Sequence, residues 1–252
     1  MTENLAVSIL GPAFLAGLLV LATHVPLGKL VLDRGIVFID LAIAQVAGLG
    51  VVVADAVGWE PSGWSVQVSA VGAAMLSAAF LVWTERRVPA VQEAIIGVVF
   101  VVAASAEIIL FGFNPHGAEH LKDLLVGQIL WVLPSQLIPV AVLYAVVLAC
   151  VWFTDLKRNR ILFYAIFACT ITASVQLIGV FLVFASLIIP ILTAVIVRAK
   201  RPVVTAYIVG LVGYSVGLAC SAVFDFPTGA AIVCALFTIG LMTSLLAGRR
   251  MA

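Results

Sequence analysis

The chain has little charge: 10% of its 252 residues are Asp, Glu, Lys or Arg, and 64% are hydrophobic. Soluble domains average about 25% charged and about 45–50% apolar residues. This composition excludes a water-soluble enzyme or regulator and predicts an integral membrane protein. Alternating ten-residue segments, which are typical of a transmembrane barrel, are also missing. We expect an all-α polytopic helical bundle that forms one transmembrane domain over residues 1–252.

The sequence also lacks the motifs that would give this chain chemistry of its own. No GxxxxGK[ST] phosphate loop occurs, so any ATP that drives the protein must bind to another chain. The four cysteines show no CxxC spacing and fall in apolar segments, which favours packing over metal binding. We expect no bound cofactor and no enzymatic activity in this chain.

The basic residues are unevenly distributed. Because the segments between their clusters are long enough to cross a bilayer twice, all clusters can lie on one side, which the positive-inside rule makes cytoplasmic. This pattern predicts nine spans, with the N-terminus outside and the C-terminus inside. They are expected at about 5–27, 35–58, 65–84, 94–113, 133–154, 203–224 and 229–247, with two short or re-entrant spans in 161–197. Twelve of the 13 basic residues form the five clusters: Lys29 and Arg34; Arg86 and Arg87; Lys157, Arg158 and Arg160; Arg198, Lys200 and Arg201; Arg249 and Arg250.

Polar side chains interrupt several of these spans. At 100° per residue, Asp40, Ala44, Ala47, Gly48 and Asp55 share a helical sector about 100° wide, and Gln45 flanks it. Small residues beside polar ones indicate a face that packs closely on other helices or lines a cavity. The alternative is that Asp40 and Asp55 are solvated near the two membrane interfaces.

Two further polar residues belong to the same hypothesis. Glu107 lies near the predicted outer end of its span, so both alternatives apply to it as well. Gln176, in the run TITASVQ, is typical of a residue that hydrogen-bonds between helices. The candidate residues of a polar path are therefore Asp40, Gln45, Asp55, Glu107 and Gln176.

The longest polar loop, FGFNPHGAEHLKDLLVGQILWV, is predicted to lie outside. If a helix begins after Pro115, His116 and His120 are one turn apart, as are Glu119 and Asp123. Imidazole and carboxylate groups at that spacing can hold zinc or manganese, although an ordinary wet loop is the alternative. The match to the zinc peptidase pattern H-x-x-E-H is disfavoured, because no Glu follows Glu119 to complete the ligands.

Five stretches, in order, resemble the membrane permease of the zinc/manganese/iron ABC importers. The segment from Arg34 resembles that family's R-G-x-x-F-[IV]-G-D-A-L-[SA]-H, and VFLVFASLIIPILTA resembles its G-V-L-L-V-x-A-L-L-[IV]-[IV]-P-A-A-x-A. DFPTGAAIV matches its D-x-P-x-G-x-x-I-V turn. VQEAIIGVVF and DLLVGQILWVLPSQL are similar to two further family segments. Together these stretches span nearly the whole chain.

The resemblance implies a permease that forms half of a dimeric pore and imports a divalent metal, with zinc the first candidate and manganese or iron next. It also implies a cytoplasmic ATPase subunit, an extracytoplasmic metal-binding protein, and alternating access driven by ATP hydrolysis in the partner. The cell membrane would be the inner one in a Gram-negative host.

The chain departs from the family pattern in two places. Gln45 stands at the family's histidine position, and Asp40 is displaced by one position from the family's aspartate. The loop DLKRNR, residues 155–160, is shorter than the family segment that docks on the ATPase. We therefore expect coupling through Thr84 to Glu93, with Arg86, Arg87 and Glu93 as contacts. The alternatives are an ATP-independent channel or secondary carrier on the same fold, and a scaffold without transport activity.

Overall fold

A computed structural model describes residues 2–59, 64–111 and 129–248. Its regular structure within these residues is helical, with nine α-helices and two single 3-10 turns, Pro89–Val91 and Ile129–Trp131. The α-helices, in chain order, are α1 (Thr2–Arg34), α2 (Ile39–Ala56), α3 (Trp64–Arg87), α4 (Gln92–Phe111), α5 (Pro134–Phe153), α6 (Arg160–Ile178), α7 (Val180–Ile196), α8 (Pro202–Phe224) and α9 (Thr228–Gly248).

These helices confirm the predicted polytopic bundle. Seven of them are long and apolar enough to cross a membrane by length and composition. The uncharged stretch 161–197 forms two helices, as predicted, and the second, Val180–Ile196, is a shorter apolar helix of 17 residues. The first helix differs from the predicted span because it continues to Arg34.

Local sequence explains several helix boundaries. Proline occupies the first position of α5 and α8, where its missing N–H costs no helical hydrogen bond. Asn159 caps α6, since its side chain accepts a hydrogen bond from the Leu162 N–H at 3.1 Å. Only Gly179 separates α6 from α7, with φ 81° and ψ 160°. This backbone region is essentially restricted to glycine, so Gly179 permits the abrupt change of direction.

The helices pack in two groups that meet at α1 and α2. In one group α2 lies against α3, α4 and α6; in the other α7, α8 and α9 pack on one another, and α1 contacts α5, α7 and α8. Hydrogen bonds between side chains link neighbouring helices. Tyr144 of α5 and Ser174 of α6 are 2.6 Å apart, and Ser186 of α7 and Tyr214 of α8 are 2.8 Å apart. Such bonds in membrane bundles contribute about 0.6 kcal/mol each on average.

Three of the predicted cytoplasmic segments meet at one end of the bundle. The Arg34 guanidinium donates to the backbone oxygens of Leu156 at 2.7 Å and Lys157 at 3.2 Å, and it lies 3.5 Å from the Glu85 carboxylate. Lys157 forms an ion pair with Asp33 at 2.7 Å. The end of α1, the end of α3 and the α5–α6 connection therefore lie together, as the clustering of basic residues predicted.

Candidate functional site

A buried polar contact joins α2 to α4. Gln45 and Glu107 are 4% and 1% exposed, and the Gln45 side-chain amide donates a hydrogen bond to Oε2 of Glu107. Both helices are otherwise strongly apolar, so a buried polar pair between them is unusual. Ionisable residues inside membrane spans usually face a bundle interior and mark ion or substrate pathways.

Gly48 makes room for the Glu107 carboxyl group. A Cβ atom at position 48 would lie 2.6 Å from Oε1 of Glu107, closer than real Cβ contacts allow. Ala44 and Ala47, which share the predicted face, are also buried. The small residues of α2 therefore leave space for the Glu107 carboxyl group of α4 to pack against α2.

The Gln45–Glu107 pair has hydrogen-bonding capacity left over. Oε1 of Gln45 and Oε1 of Glu107 are buried and have no hydrogen-bond partner among the described residues. A buried polar atom left unsatisfied costs on the order of 1–3 kcal/mol. Each of these oxygen acceptors could be satisfied by a cation or a hydrated ion.

A second pair of acids lies nearer the end of the bundle where Arg34 is located. Asp40, in the first turn of α2, is 1% exposed, and neither carboxyl oxygen has a hydrogen-bond partner in the described chain. Glu93 at the start of α4 is close enough to interact with it electrostatically. Gln45 lies five positions after Asp40, so the Asp40 level and the Gln45–Glu107 level are about 7.5 Å apart along α2.

Glu93 faces inward at this level. Its Oε1 accepts a hydrogen bond from the Phe38 N–H at 3.2 Å, and its Oε2 is buried without a partner among the described residues. Glu93 therefore supports the turn that leads into α2. A sequence pattern could not show this orientation, because it depends on how α4 packs against the preceding turn.

The other expected path residues lie apart from these two levels. Asp55 is exposed near the C-terminal end of α2, unlike the buried Asp40, Ala44 and Ala47 of its predicted sector. Gln176 is exposed near the end of α6 and makes no hydrogen bond to the described residues, so the expected interhelical bond does not form within them. Asp55 and Gln176 are exposed, unlike the buried path residues, because both lie close to helix ends.

The expected outer metal ligands, His116, Glu119, His120 and Asp123, lie outside the described residues. Within the described ranges, no group of three or more His, Cys, Asp or Glu side chains is arranged to hold a metal ion. The buried levels on α2 and α4 are therefore pairs of polar side chains rather than a closed metal cage.

His24, for which the sequence predicts no role, is fully buried in α1. Its Nδ1 lies 2.9 Å from the Val20 carbonyl oxygen and 3.1 Å from Thr23 Oγ1, whereas Nε2 has no partner in the described part of the chain. The only sequence signal was a histidine in an apolar span. The contacts of His24 do not join it to the residues on α2 and α4.

Comparison with known proteins identifies the family. The model of the ABC 3 transport family matches residues 6–158 and 154–247. The chain belongs to the ABC 3 transport family. It is a multi-pass membrane protein, and the family is the one that the resemblance predicted.

Two relatives illustrate the similarity. The "Probable iron transport system membrane protein" of Haemophilus influenzae is 25% identical over 182 residues, which is 64% of this chain and 64% of that protein. The match thus spans less than two thirds of the relative's length. The solved PsaBC complex from Streptococcus pneumoniae, bound to a Fab, superposes with a TM-score of 0.75 at 19% identity, over 93% of this chain and 90% of that one.

A third similarity concerns a solved transporter in an inward-facing conformation, assigned to the metal-chelate type of ABC transporter. It gives a TM-score of 0.57 at 14% identity, covering 95% of this chain and 83% of that chain. At these identities, both solved structures show the shared fold alone.

The residues expected to couple this chain to an ATPase differ in their exposure and direction. Arg86 and Arg87 are exposed at the end of α3, and Val88 and Val91 beyond them are exposed as well. Glu93 is turned inward, as described above. The segment from Thr84 to Glu93 therefore presents its arginines, but not its second acid, on the surface.

Proposed function

We propose that this chain is the permease subunit of an ABC importer of divalent metal ions, with zinc the first candidate and manganese or iron next. The observation that carries the proposal is the buried Gln45–Glu107 pair, whose remaining oxygens have no partner among the described residues. A lipid-facing or purely structural helix pair would gain stability from apolar residues at these positions. A helix pair that passes a cation needs polar oxygens there.

The path runs along α2 and uses both polar levels. Asp40 with Glu93, and then Gln45 with Glu107, offer oxygen ligands in succession, and exposed Asp55 lies toward the opposite end of α2. Transport requires sites that bind the ion strongly enough to admit it and weakly enough to release it.

The ligand types bear on which metal is carried. Carboxylate and amide oxygens suit manganese and iron at least as well as zinc, whereas imidazole suits zinc. Gln45 occupies the position at which the resembling family has histidine. The described path therefore supports manganese or iron alongside zinc, and the name of the Haemophilus influenzae relative points to iron for that protein.

A second copy of the chain completes the pore in this proposal. Gln176 is exposed near the end of α6, an apolar helix of 19 residues. An amide facing lipid is costly, so a neighbouring subunit or an aqueous path is the better environment for it. A homodimer with α6 near its pore satisfies this requirement.

The outer loop captures the metal before it enters the path. In this proposal His116, Glu119, His120 and Asp123 receive the ion from an extracytoplasmic metal-binding protein. A His116→Ala/His120→Ala variant should then need more external metal to reach half-maximal uptake, while its maximal rate changes little. Unchanged half-maximal metal would restrict the loop to a connecting role.

Coupling to a cytoplasmic ATPase uses the exposed part of the segment from Thr84 to Glu93. Arg86 and Arg87 provide charge for this contact, and Val88 and Val91 provide apolar surface. Glu93 contributes indirectly, because it holds the turn before α2 through the Phe38 N–H. A movement of this segment would thereby reach the Asp40 level of the path.

A second candidate function is an ATP-independent channel or secondary carrier on the same fold. The observation that favours it is the α5–α6 connection, whose backbone at Leu156 and Lys157 is bound by the Arg34 guanidinium. A short connection held in this way offers little surface for a second protein.

Co-purification and reconstituted transport distinguish the two functions. The tagged chain should retain an ATPase subunit, and proteoliposomes with that complex should take up metal only with ATP. The Arg86→Gln/Arg87→Gln variant should lose the ATPase while keeping its insertion. Uptake that needs no ATP would establish the carrier instead.

A further inference from the structure

Two cavities adjoin at Arg86, where the end of α3 meets the α5–α6 connection. The first has a volume of about 330 Å³ and is lined by polar and charged side chains: Arg86, Asp155, Arg158, Asn159 and Arg160. It lies at the end of the bundle where the segments of Arg34, Glu85 and Lys157 meet, so it is located where a membrane is expected to meet water.

The second cavity is an apolar groove between α3 and α6, also about 330 Å³ in volume. Arg86 closes one end of it, and the groove extends from there along both helices into their apolar parts. Its exposed walls include Met75 at 37%, Trp83 at 55% and Ile161 at 57% exposure. The groove is thus open to the surroundings of the bundle, which for these helices are lipid chains.

The charged cavity has an excess of positive charge. Asp155 is engaged by its own loop, since its Oδ1 accepts hydrogen bonds from the N–H groups of Lys157 and Arg158. The Arg160 side chain lies 3.5 Å from the Glu85 carboxylate. The guanidinium groups of Arg86 and Arg158 form no ion pair with any residue of the described ranges. Two cations therefore remain available for an anion.

We propose that the two cavities form one binding site for an anionic phospholipid of the adjacent leaflet. Arg86 and Arg158 bind the phosphate of the headgroup, because guanidinium groups form strong charge-assisted hydrogen bonds with phosphate oxygens. One acyl chain occupies the apolar groove between α3 and α6. Basic pockets between membrane helices are suited to anionic headgroups, and the continuity through Arg86 matches the amphipathic shape of a lipid.

This inference needs only the membrane insertion of the chain, and it does not rest on the proposed metal transport. Arg86 also belongs to the proposed ATPase contact, so the lipid site is tested in the chain alone. The lipid links α3 to the α5–α6 connection without a protein–protein contact. It would thereby reinforce the same end of the bundle that Arg34 and Glu85 hold together.

Native mass spectrometry of the full chain tests the site. The chain is released from nanodiscs that contain phosphatidylglycerol and phosphatidylcholine, without any ATPase. Wild type should retain one phosphatidylglycerol in preference to phosphatidylcholine. A basic residue at a membrane surface contributes on the order of a fivefold preference for anionic lipid, so Arg86→Gln/Arg158→Gln should lower the preference about 25-fold. The matched control, Lys200→Gln/Arg201→Gln, removes two exposed charges of another basic cluster and should leave it unchanged.

A groove variant separates a lipid from a soluble phosphate. Ala79 lines the apolar groove, and Ala79→Phe would fill it without changing any charge. This variant should lose phosphatidylglycerol, and glycerol phosphate should not compete with the bound lipid in wild type. The proposal would be overturned if Ala79→Phe retained as much phosphatidylglycerol as wild type, or if the control variant lost as much as Arg86→Gln/Arg158→Gln. Disulfide formation between two Ala79→Cys chains would also overturn it. The last result would assign the groove to a second copy.

Discussion

The side-chain amide of Gln45 donates a hydrogen bond to the Glu107 carboxyl group, and this contact joins α2 to α4 in a part of the bundle where both residues are buried. It is a polar link between two otherwise apolar helices. The free oxygen of each partner faces no hydrogen-bond donor in the described chain. If this pair serves transport and not only packing, changes at it should alter metal uptake.

Gly48→Ala should lower metal uptake although it adds only one methyl group. The new Cβ would lie 2.6 Å from Glu107 Oε1, so the acid must move. An off-rotamer side chain costs on the order of 0.5–1.5 kcal/mol, which corresponds to a fall in uptake of roughly two- to tenfold. Initial uptake rates at equal amounts of inserted protein measure the effect.

Gly72→Ala is the matched control for this experiment. No atom lies within 4 Å of the position that its Cβ would occupy on α3. Alanine is favoured over glycine inside a helix by roughly 0.5–1 kcal/mol. Uptake should therefore stay at the wild-type level. If both variants lose uptake equally, close packing at Gly48 has no special role.

Gln45→His should shift the metal preference toward zinc. The substitution places an imidazole beside Glu107, and imidazole with carboxylate is a ligand pair that zinc favours. Competition between zinc and manganese during uptake measures the shift. Gln45→Asn, which keeps the amide but shortens the side chain, is the control and should lower uptake without changing the ratio. An unchanged ratio in Gln45→His would place metal selection elsewhere in the chain.

Much of the fold follows from the sequence, and the reason is physical. Long apolar runs separated by basic clusters leave few arrangements in a bilayer, so the helix count and the gathering of Arg34, Glu85 and Lys157 at one end could be anticipated. The uncharged stretch 161–197 is harder to divide from sequence, because two short helices need a sharp turn. Gly179 supplies that turn with a positive φ of 81°.

The site was predictable only in part. Their apolar context marks Asp40, Gln45 and Glu107 as unusual residues. Which of them pair depends on how α2 packs on α4, and the periodicity of the sequence does not show that packing. The inward orientation of Glu93 and the burial of His24 depend on packing in the same way. Asp55 shared a helical sector with Asp40, yet its position near the end of α2 leaves it exposed.

Gly179→Ala should destabilise the bundle without changing any polar group. A residue with a side chain at φ 81° and ψ 160° stores strain on the order of 1–3 kcal/mol. The midpoint of thermal unfolding in detergent should fall accordingly. Gly97→Ala, whose added Cβ meets no atom within 4 Å, is the control and should not lower the midpoint. Equal midpoints for both variants would show that α6 and α7 tolerate another connection.

The orientation in the membrane is tested with reporter fusions. The distribution of basic residues predicts that fusions after Trp59, Gly117 and Asp225 report the outside. Fusions after Arg87, Arg160 and Arg250 should report the cytoplasm. A cytoplasmic signal at Gly117 would contradict the predicted topology.

The central claim is that Glu107, the buried acid of α4, binds a divalent metal ion during transport. Metal uptake by the Glu107→Gln variant tests it most directly. The substitution keeps the side-chain volume and can still hydrogen-bond to Gln45, but it removes a ligand that could bear charge. Uptake of zinc, manganese and iron is measured in cells that contain equal amounts of inserted protein. Asp225→Asn, the same chemical change at an exposed turn, is the control. The account predicts that uptake of the transported metal falls at least about tenfold, the effect of losing roughly 1.4 kcal/mol of stabilisation, while Asp225→Asn matches wild type. Wild-type uptake of all three metals by Glu107→Gln would contradict it.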